Sequence, residues 1–210
     1  MTLFAFLDYA AVLVFALTGS LVASRAQLDI VGFLFFANLT AVGGGTLRDV
    51  LLDRNPVFWI EAPSYLGVAS VAAMIVFVTA HLFESRYSLL LWLDAFALAI
   101  AAAAGSGVAQ GLGHTAPVVV VMGVVTGCMG GLMRDVVSNE VPLILKQGEL
   151  YVTCAFVGSA ATAIAAYMEF APATSAFICA GLTFVLRAGS MSFGWCLPVY
   201  KSRPPAGSDR

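Results

Sequence analysis

The stretch Gly44-Gly45-Thr46-Leu47-Arg48-Asp49 returns later in the chain as Gly130-Gly131-Leu132-Met133-Arg134-Asp135, at an offset of 130 − 44 = 86 residues. The same offset pairs Asp8 with Asp94, Gly19-Ser20 with Gly105-Ser106, Thr40 with Thr126, Pro56 with Pro142 and Tyr65 with Tyr151. A register held without gaps over that length marks an internal duplication. It divides the chain into units 1–86 and 87–171, followed by a segment 172–200 and a tail 201–210, which is short, polar and expected to be disordered.

Both copies of the motif lie inside apolar runs. Of the 210 residues, 60% are hydrophobic and 10% charged, against about 25% charged in an ordinary soluble domain. A spanning helix needs about 20 mostly apolar residues. Seven such stretches can be marked off, near residues 3–23, 30–52, 64–83, 89–109, 116–138, 150–168 and 172–193, and charge or turn clusters separate them. The expected fold is therefore an all-α membrane protein of seven transmembrane helices. No basic residue precedes the first apolar run and Asp8 lies early within it, so that run reads as a mature helix and not a signal peptide.

Orientation follows from the basic residues. Arg25, Arg86, Lys146 and the tail residues Lys201, Arg203 and Arg210 fall on the side that carries the C-terminus, and Arg54 stands on the other. The positive-inside rule then puts the C-terminus in the cytoplasm and the N-terminus outside. Each unit holds three spans, an odd number, so the second unit enters the membrane from the opposite face, and the pair is an inverted repeat. In such architectures a substrate or ion site sits near the midplane where equivalent helices are interrupted.

The second and fifth spans carry the candidate interruptions. Gly43-Gly44-Gly45 falls within the second, and Gly130-Gly131 takes the matching place in the fifth. Glycine costs about 1 kcal/mol relative to alanine in a helix interior, so such clusters favour a kink or local unwinding. An opened turn would present carbonyls to a passing cation. Close packing is the competing reading, because Gly123-x-x-x-Gly127-x-x-x-Gly131 is also a helix-contact pattern. Recurrence at equivalent places, each followed by Arg-Asp, favours the kink.

A charge inside the bilayer costs at least about 2.5–3.5 kcal/mol and calls for a partner. Adjacent residues on a helix do not face one another, so pairing across the units is expected, Arg48 with Asp135 and Asp49 with Arg134. Asp8 and Asp94 read as residues near helix N-termini, favoured there by the dipole. Asn38, Thr40, Thr126 and Ser138 are candidates to line a pathway or to bond their own backbone.

Other chemistries find no support. Net charge is −2 with no basic stripe, which excludes nucleic acid as a natural partner. The four cysteines, Cys128, Cys154, Cys179 and Cys196, form no C-x-x-C pair and read as small apolar packing residues. His81 and His114 stand apart, without the three or four convergent ligands of a metal site. There is neither G-x-S-x-G nor H-E-x-x-H, so no enzyme is expected. Thr40-Ala41-Val42-Gly43-Gly44-Gly45 lacks the tyrosine and the re-entrant loop of a potassium-channel filter.

The run from Arg25 to Ile60, with Leu28-Asp29-Ile30-Val31-Gly32, the motif Ala41 to Leu52 and Pro56-Val57-Phe58-Trp59, closely resembles the prokaryotic TRIC family of trimeric intracellular cation channels, also known as a glycine-transporter domain family. In the second unit Val124 to Val137, Pro142-Leu143-Ile144-Leu145 and Leu150-Tyr151 are similar to that family's second motif, as Leu186-Arg187 and Phe193-Gly194-Trp195 are to its closing helix. The resemblance covers residues 5 to 200. It implies a homotrimer in a prokaryotic inner membrane, among lipids, with one monovalent-cation pathway per protomer for potassium and also sodium. That pathway would run along kinked helices carrying Gly43, Gly44, Gly45, Gly130 and Gly131, with Arg48, Asp49, Arg134 and Asp135 as its charged pairs. No cofactor is implied beyond the permeant ions, with bound lipid as a candidate. Met129 departs from the family's glycine triplet. The alternative activity is secondary transport of a small zwitterion such as glycine, since inverted repeats also mark transporters; a third is a scaffold whose glycines only pack.

Overall fold

Helices begin and end where the local chemistry allows it. In the computed structural model, which describes residues 3–82 and 86–198, Asp29 caps the second helix by accepting a hydrogen bond from the Gly32 amide at 2.8 Å. Pro117 and Pro172 sit at helix starts, where the missing N–H is harmless. Gly194 ends the last helix in the left-handed conformation at φ 70°. The elements are α1 (Leu3–Arg25), α2 (Ile30–Leu51), a four-residue α3 (Phe58–Glu61), α4 (Ser64–Thr79) with a 3₁₀ turn Ala80–Leu82, α5 (Arg86–Gly111), α6 (Ala116–Val137), a 3₁₀ turn Leu143–Leu145, α7 (Val152–Tyr167) and α8 (Pro172–Phe193). Glu84, Ser85, the Arg86 side chain and the tail 201–210, with Lys201, Arg203 and Arg210, lie outside the described residues.

Among the described residues, six helices are long and apolar enough to cross a membrane: α1, α2, α4 with its 3₁₀ turn, α5, α6 and α8. Apolar α7 has 16 residues, so it is about 24 Å long at 1.5 Å per residue, short of a hydrocarbon core of about 30 Å. Two short elements, α3 and the turn at Leu143–Leu145, were not anticipated from the sequence, and both follow the paired prolines Pro56 and Pro142. Of the cysteines, Cys128, Cys154 and Cys179 are buried, whereas Cys196 is exposed beyond the end of α8, which corrects its reading as a packing residue.

α1 and α5 form the inner pair. α1 packs on α2, α4 and α5, while α5 also packs on α6, α7 and α8. Small side chains permit this, since Ala101 to Ala104 of α5 are all buried and only small residues let helix backbones approach so closely. At Gly19 of α1 an added Cβ would meet the Phe36 carbonyl and Thr40 of α2; at the equivalent Gly105 it would meet Thr126 and the Met122 carbonyl of α6.

The glycine clusters do not open the helices. α2 and α6 stay α-helical from end to end through Gly43-Gly44-Gly45 and Gly130-Gly131, which corrects the expectation of unwound turns there. The glycines lie where α2 and α6 cross. A Cβ on Gly44 would strike the Thr126 carbonyl, one on Gly130 the Thr40 carbonyl, and one on Gly43 would come within 2.7 Å of Met133 Sδ. Tertiary packing of two backbones at touching distance outweighs the weak local preference of glycine against helix. Because residue 44 meets 126 while 40 meets 130, the two helices run antiparallel through the crossing.

Gly44→Ala is expected to lower stability by about 1–3 kcal/mol, the cost of overpacking a tight contact. Gly67→Ala on α4, where no atom lies within 4 Å of the added carbon, should be neutral or stabilising by up to about 1 kcal/mol. Thermal unfolding in detergent measures both.

Candidate functional site

Two buried arginines near the ends of α2 and α6 organise the polar interior. Arg48 donates from Nε to Asp49 Oδ1 at 2.8 Å, and from Nη1 to Asp8 Oδ1 on α1 at 2.8 Å. Asp49 also accepts from Arg54 Nη1 at 3.0 Å and, through Oδ2, from the Phe58 amide at 2.9 Å. That last bond explains α3, because the carboxylate anchors the chain where it turns after Pro56. Arg48 is wholly buried, with its guanidinium 5.4 Å from the Phe58 ring centre.

The second unit repeats the plan. Arg134 donates from Nε to Asp135 Oδ1 at 2.8 Å and from Nη1 to Asp94 Oδ1 on α5 at 2.9 Å. Asp135 Oδ2 accepts from the Leu143 amide at 2.9 Å and so anchors the second short turn. A buried ion needs several such partners, since one missing partner leaves a charge uncompensated in a low dielectric.

The pairing therefore runs within each unit, and the expected cross-unit pairs Arg48–Asp135 and Asp49–Arg134 are not formed. Antiparallel crossing is the reason, because equivalent positions beyond the crossing point diverge toward opposite ends. The neighbours Arg48 and Asp49 meet after all, since the arginine stem is long enough to fold back along the helix. Asp8 and Asp94 are likewise corrected from dipole-favoured terminal residues to arginine partners; neither lies in the first turn of its helix.

The two clusters differ where the sequences differ. Position 54 is an arginine that serves Asp49, but its counterpart is Glu140, which pairs instead with Arg25 at 3.2 Å. Tyr9 stacks on Tyr65 with ring centres 3.9 Å apart, and Ala95 stands at the position equivalent to Tyr9. Freed of such a stack, Tyr151 reaches inward and donates to Asp94 Oδ2 at 2.8 Å. Asp94 is fully buried under it, whereas Asp8 keeps 8% exposure.

That exposure opens onto a cavity of about 440 Å³ lined by Phe4, Asp8, Tyr9, Arg54, Phe58 and Glu61, among others. A slot of about 10 Å³ bordered by Asp8, Phe58, Gly44, Gly45 and Thr126 continues toward the α2–α6 crossing. Asp8 and Phe58 line both. With Arg48 and Asp49 directly below, three carboxylates face two guanidinium groups, a local excess of one negative charge.

The remaining candidates bond their own helices. Thr40 Oγ1 donates to the Phe36 carbonyl at 2.7 Å, Thr126 Oγ1 to Met122 at 2.6 Å, and Ser138 Oγ to Asp135 at 3.0 Å. Asn38 Nδ2 donates to the Leu34 carbonyl at 2.8 Å and to Ser70 Oγ at 3.3 Å. Sequence reasoning missed the parts played by Asp8, Asp94, Tyr151, Arg54 and Phe58. The 86-residue register already held the first three, because a carboxylate recurring in step with a buried arginine is that arginine's natural partner.

Apolar outside and ion-paired inside, these helices make up a polytopic α-helical membrane protein. The family model described as "Glycine transporter" matches the chain twice, over residues 5–81 and 91–167. The inner membrane protein YadS of Escherichia coli K12, named as a UPF0126 protein, is 36% identical over 199 residues, covering 92% of this chain and 94% of the relative. A UPF0126 membrane protein of Vibrio cholerae is 34% identical over 89% of this chain and 78% of its own length. Among solved structures, the TRIC trimeric intracellular cation channel orthologue from Rhodobacter sphaeroides superposes with a TM-score of 0.89 at 37% identity, covering 93% of this chain and all of that one. Another TRIC cation channel superposes at 0.85 with 31% identity over 97% of this chain and 100% of the other. The chain belongs to the prokaryotic TRIC family.

Arg134→Ala should lower the unfolding free energy by about 3–5 kcal/mol, the cost of orphaning buried carboxylates. Exchanging charges within a unit, Arg134→Asp with Asp94→Arg, should recover part of that loss, while Arg48→Asp with Asp135→Arg should recover none. Unfolding midpoints in detergent compare them.

Proposed function

We propose that this protein is a passive channel for monovalent cations, potassium and also sodium, with one pathway inside each protomer. The single observation that carries the reading is the funnel that narrows from a 440 Å³ vestibule, past Asp8 and Phe58, to a slot at Gly44, Gly45 and Thr126. Its net negative lining favours cations. The slot's size matches one water-sized species, which favours an ion over an amino acid. The trimeric cation channels similar to this chain support the same activity and a homotrimeric assembly.

In this reading the chain crosses a prokaryotic inner membrane seven times as two inverted three-helix units, 1–86 and 87–171, plus the span in 172–200, with its N-terminus outside and its C-terminus in the cytoplasm. The two matches of the family model, in step with the 86-residue register, support the duplication. Antiparallel α2 and α6 support the inversion. Gly43, Gly44, Gly45, Gly130 and Gly131 bring the two helices together at the pathway's centre. Arg48 with Asp49 marks one mouth, and Arg134 with Asp135 marks the other. Lipid fills the apolar grooves between helices, among them one of about 300 Å³ bounded by Leu39, Val42, Gly43, Val50 and Met133. In this reading Tyr151, bonded to the buried Asp94 at the place where Asp8 of the first unit meets the vestibule, closes the second mouth.

The description of the matching family model favours a second reading, transport of glycine. Purified protein in planar bilayers decides between the two. The channel reading expects unitary current steps in potassium and in sodium, and raised open probability in Tyr151→Phe. Saturable glycine counterflow without conductance would establish the transporter instead.

A further inference from the structure

α8 stands outside the duplicated units, yet one face of it is aimed at the segment that closes the second mouth. Thr183, Arg187 and Ser190 lie on one stripe, at i, i+4 and i+7. Thr183 Oγ1 donates to the Cys154 carbonyl at 3.3 Å. Arg187 Nη1 donates to the Leu150 carbonyl at 3.0 Å and lies 2.8 Å from Glu149 Oε2. Ser190 Oγ accepts from the Leu150 amide at 2.7 Å and donates to the Trp195 carbonyl at 2.8 Å. The two residues preceding Tyr151 are thus held by main chain and side chain together.

Arg187 also touches Tyr151 directly, its guanidinium 5.0 Å from the ring centre. Tyr151 is therefore gripped from two sides, by Arg187 on its face and by Asp94 at its hydroxyl. In the first unit Tyr65 stacks on Tyr9 and packs edge-on against Phe58, and α8 packs on α5 and α7 instead of α4. The grip thus belongs to one mouth only.

This grip is incomplete. Among the described residues, Arg187 Nε and Nη2 and Arg134 Nη2 are buried without hydrogen-bond partners, whereas every buried nitrogen of Arg48 has one. Unsatisfied buried donors raise the energy of the conformation that holds them. The cluster around Tyr151 is therefore the one with donors to spare for another arrangement.

We infer that Arg187 is the positioning residue of the Tyr151 seal, so that α8, through the Arg187–Glu149–Leu150 contacts, sets how readily the second mouth opens. The inference rests on the channel reading. Arg187 acts on Tyr151 from the side of α8, away from the vestibule, so its effect falls on opening and not on the rate of ion passage.

The test combines single-channel recording with hydrogen–deuterium exchange of residues 146–152, both on the full chain. Arg187→Gln is expected to speed exchange in that segment and to raise open probability about fivefold or more, the lower range of a coupling between sites, at unchanged unitary conductance. Arg187→Lys keeps the ion pair with Glu149 and should restore part of the closure. Should Arg187→Gln not fold, Glu149→Gln alters a partly exposed partner and should shift both readouts in the same direction, less far. Combined with Tyr151→Phe, Arg187→Gln should add nothing further, because both act on one seal. Open probability unchanged despite faster exchange, or no change in exchange, overturns the inference. If the wild type passes no current the channel reading fails and the gating role falls with it, although exchange would still register the mechanical hold of α8 on the segment.

Discussion

The guanidinium groups of Arg48 and Arg134, placed inside an apolar helical protein, must each be given carboxylates, and most of the architecture follows from how that is done. Arg48 and Arg134 have no water to turn to, so each recruits the aspartate beside it and a second one from the neighbouring inner helix. These three-residue contacts fix the rotation of α1 against α2 and of α5 against α6. The second oxygen of Asp49 and of Asp135 reaches outward to a backbone amide, which places the short turns after the two prolines. One electrostatic requirement thereby sets helix orientation, loop path and the position of the two ion clusters.

The glycine crossing is the apolar complement of that arrangement. Without a hydrophobic driving force between helices in lipid, association depends on close van der Waals approach, and Gly44 and Gly130 provide it by placing backbone against backbone. The crossing keeps the two ion clusters at opposite ends of the α2–α6 pair. It also leaves only a water-sized slot beside the Thr126 carbonyl at the end of the vestibule. Narrowness at the centre and charge at the ends arise from the same packing.

Near-symmetry makes the differences informative. Replacement of a tyrosine by alanine between positions 9 and 95 removes a stacking partner and frees Tyr151 to cover Asp94. Glutamate in place of arginine, at 140 against 54, leaves Asp135 without the second cation that Asp49 has, and its carboxylate pairs with Arg25 at the protein surface instead. With Asp8 lining a cavity in one unit and Asp94 covered in the other, the two units are no longer alike, and the contacts of α8 with Leu150 reinforce that asymmetry.

Much of this was legible in the residues. The 86-residue register, the helix limits within a few residues and the need of Arg48 and Arg134 for buried partners all follow from local composition, from periodicity and from the cost of burying charge, which are properties of the chain read in order. Which carboxylate answers which arginine was not legible, nor was the role of the glycines. Adjacency along a helix argued against Arg48 with Asp49, and glycine's low helix propensity argued for an opened turn. Both arguments were local, and both gave way to contacts made between helices distant in sequence. Sequence alone determined that the chain is an apolar, duplicated, helical membrane protein with paired charges in its interior. Only the tertiary structure decided that the pairs close within each unit, that the glycines serve contact without unwinding their helices, and that Tyr151 and not Tyr65 covers its aspartate, because each depends on the antiparallel crossing of α2 and α6 and on side chains brought together by packing.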